Sequence, residues 1–532
     1  MGCWVLIATV LYCTGAWADG KPAALITGTA PGEVGYPQHP VTAQWIASTA
    51  GGKPVVYANR LPGIHLDSNL WSGGGEDDRA TLQGALDTLA ATGGGTLVLP
   101  GCARISGSLA LSSGERIIGL NEGTCGLFLS SSSNTPLLTN IHRSYMERSD
   151  SNIFVENLTV NGNGQYPQNQ ENQSHGDGNG NFVNGIEFNG VQGIWVSNVE
   201  TIDSRCFAFC FTSCTQVVAE NLTGYWHFPD HNNDTVHLDA PYSYVTIHNI
   251  WGNGLDDEIA LNGDENYGFA ETPNSLVDTG SADSAHVRVS EITAAGTGSA
   301  VRLISLVGKA DDIVIWDLNG TVKVYGILID TAGRPGFAGN FGQVTIGAVN
   351  LAFAGIFKEA GIPAQQMIGV LDKMDRLNLV NMTVQDYSSA YYLGWYGPWL
   401  YLGPGANIGT LWVDGNWSDS SFTAMSPTEG RIVMDGAWIN QFKLGPLQWR
   451  RPEGQTKEGI LMSMDAGHVG ALTLFAVGTN NGGGILRQDG GEIGAINVQN
   501  LRDTQSVAPS LVISDSDTRL FDPTGAVTVG AY

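Results

Sequence analysis

The 532-residue sequence predicts an all-β fold: a single-stranded, right-handed parallel β-helix closed by a helix near its amino-terminal end. Three observations lead there. The composition is rich in glycine (71 residues) and poor in charge (14%), which disfavours a mainly helical chain. A short motif of alternating apolar residues ending in Asn or another turn residue recurs from Asn152 onward. The recurrences leave room for two or three short strands, at about 24 to 33 residues per unit, and for no long helix.

The chain begins with an apolar run, Trp4 to Ala16, followed by the small-x-small triplet Ala16-Trp17-Ala18. That pattern predicts a signal peptide over residues 1–18 and a secreted or periplasmic product. No stretch reaches the ~20 apolar residues that a membrane span needs. Residues 19–72 read as an amino-terminal extension, and 73–532 as one catalytic β-helix that includes its capping helix. With 51 acidic and 25 basic side chains the net charge is −26, which excludes a protein that tracks a nucleic-acid backbone. The cysteines show neither metal spacing nor a disulfide framework, and most are expected to be buried.

The capping helix is predicted over Thr81–Ala90, where Leu82, Ala85, Leu86 and Leu89 make one apolar face. Gly93-Gly94-Gly95 ends it, and Thr96 to Leu99 forms a strand before Pro100. The repeat proper starts at Asn152, Gly193, Gln216, Tyr244, His286, Asp312 and Gln343, with weaker copies from Arg376, Asn407, Arg431, His468 and Glu492. Period-two alternation buries one face of each strand, and a unit this small must stack on its neighbours to do so. The long steps from Asn152 to Gly193 and from Tyr244 to His286 read as two rungs, or as one rung with an insertion.

A second short strand recurs in each unit, at Thr235–Ala240, Glu258–Gly263 and Ala300–Ser305. In register, Val236, Ile259 and Val301 point inward together with Leu238, Leu261 and Leu303, while His237, Ala260 and Arg302 share an outward column. Asp234 then lies against the pair Asp256-Asp257 one rung away, ~4.8 Å along the stack. Three carboxyl groups that close raise at least one pKa. One is then a general acid and another an ionised base that activates water, with an expected separation of ~6.5–9.5 Å for an inverting pair. A calcium site is the other reading of the same cluster.

These motifs resemble a known family. The Asp-Asp-rich helix start and Gly-Gly-Gly strand at residues 76–100 are similar to the entry cap of secreted pectate-lyase-like β-helix proteins. Asn233-Asp234 followed by Asp256-Asp257 resembles the N-T-D and D-D motifs of polygalacturonase-type glycoside hydrolases. The resemblance implies Asp256 as general acid, with Asp234 and Asp257 holding the attacking water. It departs at two places. Gly298-Ser299-Ala300 stands where that family has G-H-G, and Gly326–Asp330 carries no counterpart of its R-I-K.

Substrate contacts are expected from His237, Arg302, Glu258 and Asn233, and from the aromatic rings of Trp226, Trp251 and Tyr267. A second aromatic cluster, Tyr391 to Tyr401, is read as a cleft wall or as packing on the solenoid side. The sequence therefore predicts a monomeric, exported glycoside hydrolase acting on a polysaccharide or oligosaccharide, with neither nucleic acid nor membrane as partner. The competing readings are a β-elimination lyase that holds calcium in the acidic cluster, and a non-catalytic glycan binder.

Overall fold

The recurring motif is a bend built from left-handed residues. Its first position has positive φ at Asn152, Gly193, Gln216, Tyr244, His286 and Asp312. Its sixth has positive φ at Asn157, Asn198, Asn221, Asn249, Glu291, Asp317 and Ala348. Asn tolerates this region because its short polar side chain bonds locally, which is why it recurs at the sixth position. Asn249 Nδ2 donates to Asn221 Oδ1 at 2.7 Å, one rung to the next.

The computed structural model describes residues 46, 50–131, 133–143, 147–164, 183–229, 232–264, 282–334, 336–354, 365–385, 398–418, 431–450, 460–479, 484–499, 502–503 and 529–530. All lie in one unit, Val41–Tyr532. The expected signal peptide, Tyr267 and residues 386–397 of the second aromatic cluster fall outside the described residues. Among the described residues no helix is long and apolar enough to cross a membrane.

The described chain is mostly β-strand, and the strands pair in parallel, each with its counterpart in the rung before and after. The strands that frame the site are β1 (Ile186–Asn189), β2 (Val191–Ile202), β3 (Phe209–Thr212), β4 (Thr215–Tyr225), β5 (Val236–Asp239), β6 (Ser243–Gly252), β7 (Asp257–Asn262), β8 (Ser284–Ile304) and β9 (Ala310–Asp330). β1, β3, β5, β7 and the second half of β8 stack as one ladder. β2, β4, β6 and the first half of β8 stack as another.

The expected register is observed. Val236 pairs with Ile259 and Ile259 with Val301, Leu238 with Leu261 and Leu261 with Leu303, and His237 with Ala260 and Ala260 with Arg302. All six inward residues are at most 1% exposed, and each such aliphatic burial contributes roughly 1.5–3 kcal/mol. The first seven motif copies are in mutual register. The long steps are single rungs with insertions, because Asp150–Asn161 pairs directly with β2 and β6 directly with β8.

Two weak copies are corrected. Asn407 pairs with Lys373, three residues ahead of Arg376. The copy at Arg431 belongs to the other ladder, since Ile432 pairs with Leu400 while Trp438 is the partner of Asn407. Both strands of a rung alternate with period two, so alternation alone does not tell them apart.

The predicted helix is α1 (Arg79–Ala91), and its four apolar positions, Leu82, Ala85, Leu86 and Leu89, join the core. Asp78 does not cap it with its side chain. Its carboxylate instead accepts the backbone N–H groups of His65 and Leu66 at 2.9 and 2.8 Å, tying the preceding segment to the helix start. The five described cysteines are buried, as expected for most of them, and free.

Beside the helix, burial pushes the Glu115 carboxyl up to about 7, with a smaller push from Asp87, against the bond it accepts from the Ser112 N–H. The folded chain then binds a proton that the unfolded chain has lost. This contribution is complete below the ordinary value of 4.5 and disappears as pH rises through about 7. Glu115→Gln is expected to flatten that part of the stability–pH curve, which chemical denaturation at several pH values would show. An unchanged slope between about pH 4.5 and 7 contradicts the assignment.

Candidate active site

Asp234 stands two residues ahead of β5, and Asp256-Asp257 stands at the start of β7, so stacking the two strands brings the three carboxyl groups together. One oxygen from each lies within 4.8 Å of the others. These nearest oxygens are closer than the ~6.5–9.5 Å expected between the carboxyl groups of an inverting pair. The Asp257 backbone N–H donates to Asp234 Oδ1 at 3.0 Å, and the Asn232 N–H donates to Asp256 Oδ2 at 3.0 Å. Asn232 makes that bond from a left-handed conformation, φ 62°.

Glycine keeps the turn tight. A Cβ on Gly254 would stand 1.8 Å from the Asn233 carbonyl oxygen, so no other residue fits under this loop.

The three aspartates differ in surroundings. Asp234 and Asp257 are buried, whereas Asp256 is the partly exposed member. Burial drives the Asp257 pKa well above the ordinary carboxyl value, helped by the charges of Asp256 and Asp234 and opposed by Arg302 and a bond from the Ser299 side chain. Three carboxyl groups this close disfavour full ionisation, and a proton bound to one of them lies within reach of its neighbours. Asp234 and Asp257 are 3% and 4% exposed, so only Asp256 of the three opens toward solvent.

His237 is also buried, at 2% exposure, and does not reach a ligand from the outward face as expected. Its Nδ1 lies 2.7 Å from Asp234 Oδ2 and its Nε2 lies 3.2 Å from Asp239 Oδ1. Its ring stacks on Phe207 with 3.8 Å between centroids and 7° between planes. Burial opposes a charged imidazole, but Asp239 and Asp234 outweigh it and hold the His237 pKa well above the usual value.

Other expected contacts are corrected. Glu258 is fully buried beneath Gly252, and burial raises its pKa well above the ordinary carboxyl value against a bond from the Thr235 side chain. Asn233 is 2% exposed and donates to the Cys206 carbonyl at 3.4 Å, supporting the loop. Trp226 is in the core over Gly224, with Nε1 donating to the Ser204 carbonyl at 2.6 Å. Trp251 is 5% exposed and faces Tyr225 at 6.4 Å. Neither ring offers an open face to a sugar.

Arg302 stays in the outward column, but Asp330 holds it through Nε and Nη2, at 3.2 and 3.1 Å. The register also puts Ser299 beside Asp257, where the resembled family has its histidine. Asp239, Asn232, Phe207 and Asp330 were not singled out in the sequence. Asp239 had a signal, since it stands two residues after His237 and shares its face.

This geometry meets its comparison with known proteins over the rungs that carry it. Residues 143–357 match the model of glycosyl hydrolases family 28. No curated protein sequence matches the chain. Among solved structures, a mutant tailspike protein of an E. coli bacteriophage, in complex with a hexasaccharide, superposes with TM-score 0.50 at 10% identity, covering 85% of this chain and 79% of that one. A family 28 exopolygalacturonase from Yersinia enterocolitica gives 0.45 at 13%, covering 84% and 78%. The A-module of a mannuronan C-5 epimerase from Azotobacter vinelandii gives 0.44 at 13%, covering 87% and 100%. At these identities the tailspike match speaks for the fold alone. The family match includes Asp234, Asp256 and Asp257, and it supports a polysaccharide-degrading glycoside hydrolase.

Proposed function

We propose that the protein is an exported glycoside hydrolase that cleaves a polysaccharide or oligosaccharide by inversion, on a right-handed parallel β-helix capped by α1. The observation that carries the hydrolase reading is the meeting of three carboxyl groups from two consecutive rungs, within 4.8 Å, with the Asp257 pKa driven well above the ordinary carboxyl value. Inversion rests instead on the resemblance, which gives Asp234 and Asp257 a water to hold rather than a carbon to attack. Asp256, the exposed member, gives its proton to the leaving oxygen. Asp234 and Asp257 hold the attacking water and take its proton. Both Asp234 oxygens already meet a nitrogen, the Asp257 N–H and the His237 ring. That arrangement favours a group that orients water over one that attacks carbon.

The same trio has the oxygen chemistry that a calcium ion takes. A cation would then sit one carboxylate away from His237, which both neighbouring aspartates favour in its charged form. That repulsion favours the metal-free reading, and activity is expected to survive exhaustive chelation.

The substrate class follows from the paired cation. Asp330 neutralises Arg302, the one Arg or Lys among the three residues of the column His237, Ala260 and Arg302, and the surrounding carboxylates repel a polyanion. Neutral glycans are the expected substrates and polygalacturonate a poor one. Incubating the purified protein with a panel of both, with and without chelator, tests this. New reducing ends from a neutral glycan, unchanged by chelator, are expected. Calcium-dependent release of unsaturated uronates would establish a lyase instead, and no cleavage of any glycan a binder.

A further inference from the structure

We propose that His237 is a positioning residue, clamped between Asp239 and Asp234, that fixes Asp234 as the ionised member of the trio and leaves the shared proton on Asp256 and Asp257. The proposal deepens the hydrolase reading and rests on it for its catalytic consequence, though not for its geometry.

Three successive rungs build the clamp. On the strand itself, Nδ1 meets Asp234 at 2.7 Å and Nε2 meets Asp239 at 3.2 Å. The far oxygen of Asp239 accepts the Thr212 hydroxyl at 3.2 Å from the preceding rung. The same rung supplies Phe207, whose ring covers one face of the imidazole, and Cys210, the direct ladder partner of His237. Burial raises the Cys210 thiol well above its ordinary value, so it is neutral and adds no charge. From the following rung come Ala260 as ladder partner and Asn262, whose side-chain amide lies 3.5 Å from Nε2 and, with its oxygen turned to the ring, accepts from it. The charged groups that face the ring are thus Asp234 and Asp239, with Asp257 behind Asp234.

Two carboxylates against one ring require both ring nitrogens to donate, because an unprotonated nitrogen would oppose a carboxylate lone pair. The resulting imidazolium attracts negative charge onto Asp234. It also stops Asp234 from rotating, since its other oxygen is bonded to the Asp257 N–H at 3.0 Å. The proton that three crowded carboxyl groups must share therefore stays on the pair where the leaving group needs it. With 2% exposure, the ring touches neither solvent nor a sugar, so its effect passes through Asp234 alone.

The test begins without substrate. In protein labelled with 15N-histidine, the His237 ring is identified by its loss in His237→Gln, and its two nitrogen shifts are followed from pH 5 to about 8. Two protonated nitrogens throughout are expected in the wild type, and a neutral ring with one protonated nitrogen in Asp239→Asn at the upper end of the range. Asp239→Asn keeps the shape of the site, and its thermal unfolding shows whether it folds.

On a glycan that the wild type hydrolyses, Asp239→Asn is expected to lower kcat by roughly 10- to 100-fold, the size typical of an outer partner. KM should hold while the pH profile shifts. A neutral His237 in the wild type, or a folded Asp239→Asn with unaltered kcat and pH profile, overturns the proposal. If the panel yields no hydrolysed glycan, the hydrolase reading fails while the nitrogen shifts still decide the clamp.

Discussion

Asp256→Asn is expected to lose about 10²–10⁴-fold in turnover on a natural glycan, and less than about 10-fold on an aryl glycoside with an activated leaving group. The contrast follows from position. Asp256 is the partly exposed carboxyl group of the trio, within 4.8 Å of two buried ones, so it is the member that can reach a glycosidic oxygen. An amide in its place keeps the bond from the Asn232 N–H through its oxygen but has no proton to give. An activated leaving group departs without one. Steady-state rates on both substrate types check this, and equal losses on the two would remove Asp256 from the acid role.

Asp234→Ala is expected to be destabilising as well as inactive. The side chains of Asp234 and His237 are 4% and 3% exposed and lie 2.7 Å apart. Removing the carboxylate leaves a buried imidazolium with Asp239 alone and leaves the Asp257 N–H without its acceptor. Breaking a buried pair of this kind costs about 3–5 kcal/mol. An inactive alanine variant would therefore say little about catalysis. Asp234→Asn keeps an oxygen for the N–H and the shape of the site, so it is the informative change. Denaturant midpoints should rank wild type, Asp234→Asn and Asp234→Ala in falling order. A wild-type midpoint for the alanine variant would show that the pair is solvated.

Much of this was legible in the sequence because the fold is a repeat. Val236, Ile259 and Val301 could be stacked from alternation alone, and the meeting of Asp234 with Asp256-Asp257 followed from that register. α1 could be placed from four apolar positions. Burial at the strand starts was not legible. Glu258 shares the parity of Ala260, which suggests an outward side chain, yet it is covered because Gly252 leaves room beneath the turn. Trp226 and Trp251 follow or end strands at bends, where alternation no longer says which way a ring points. The burial of His237 was not legible for a related reason. Alternation put it on the outer face, but the cover from Phe207 comes from the segment ahead of β3, in the rung before, which no local pattern reveals.

The central claim is hydrolysis by the aspartate trio, and time-resolved proton NMR of a digest tests it most directly. The account predicts that the first new anomeric signal has the configuration opposite to the cleaved linkage, that it equilibrates later by mutarotation, and that Asp256→Asn suppresses it. Retention of configuration would contradict inversion by a water held on Asp234 and Asp257. A vinyl proton of an unsaturated uronate, appearing in place of a new reducing end, would contradict hydrolysis itself.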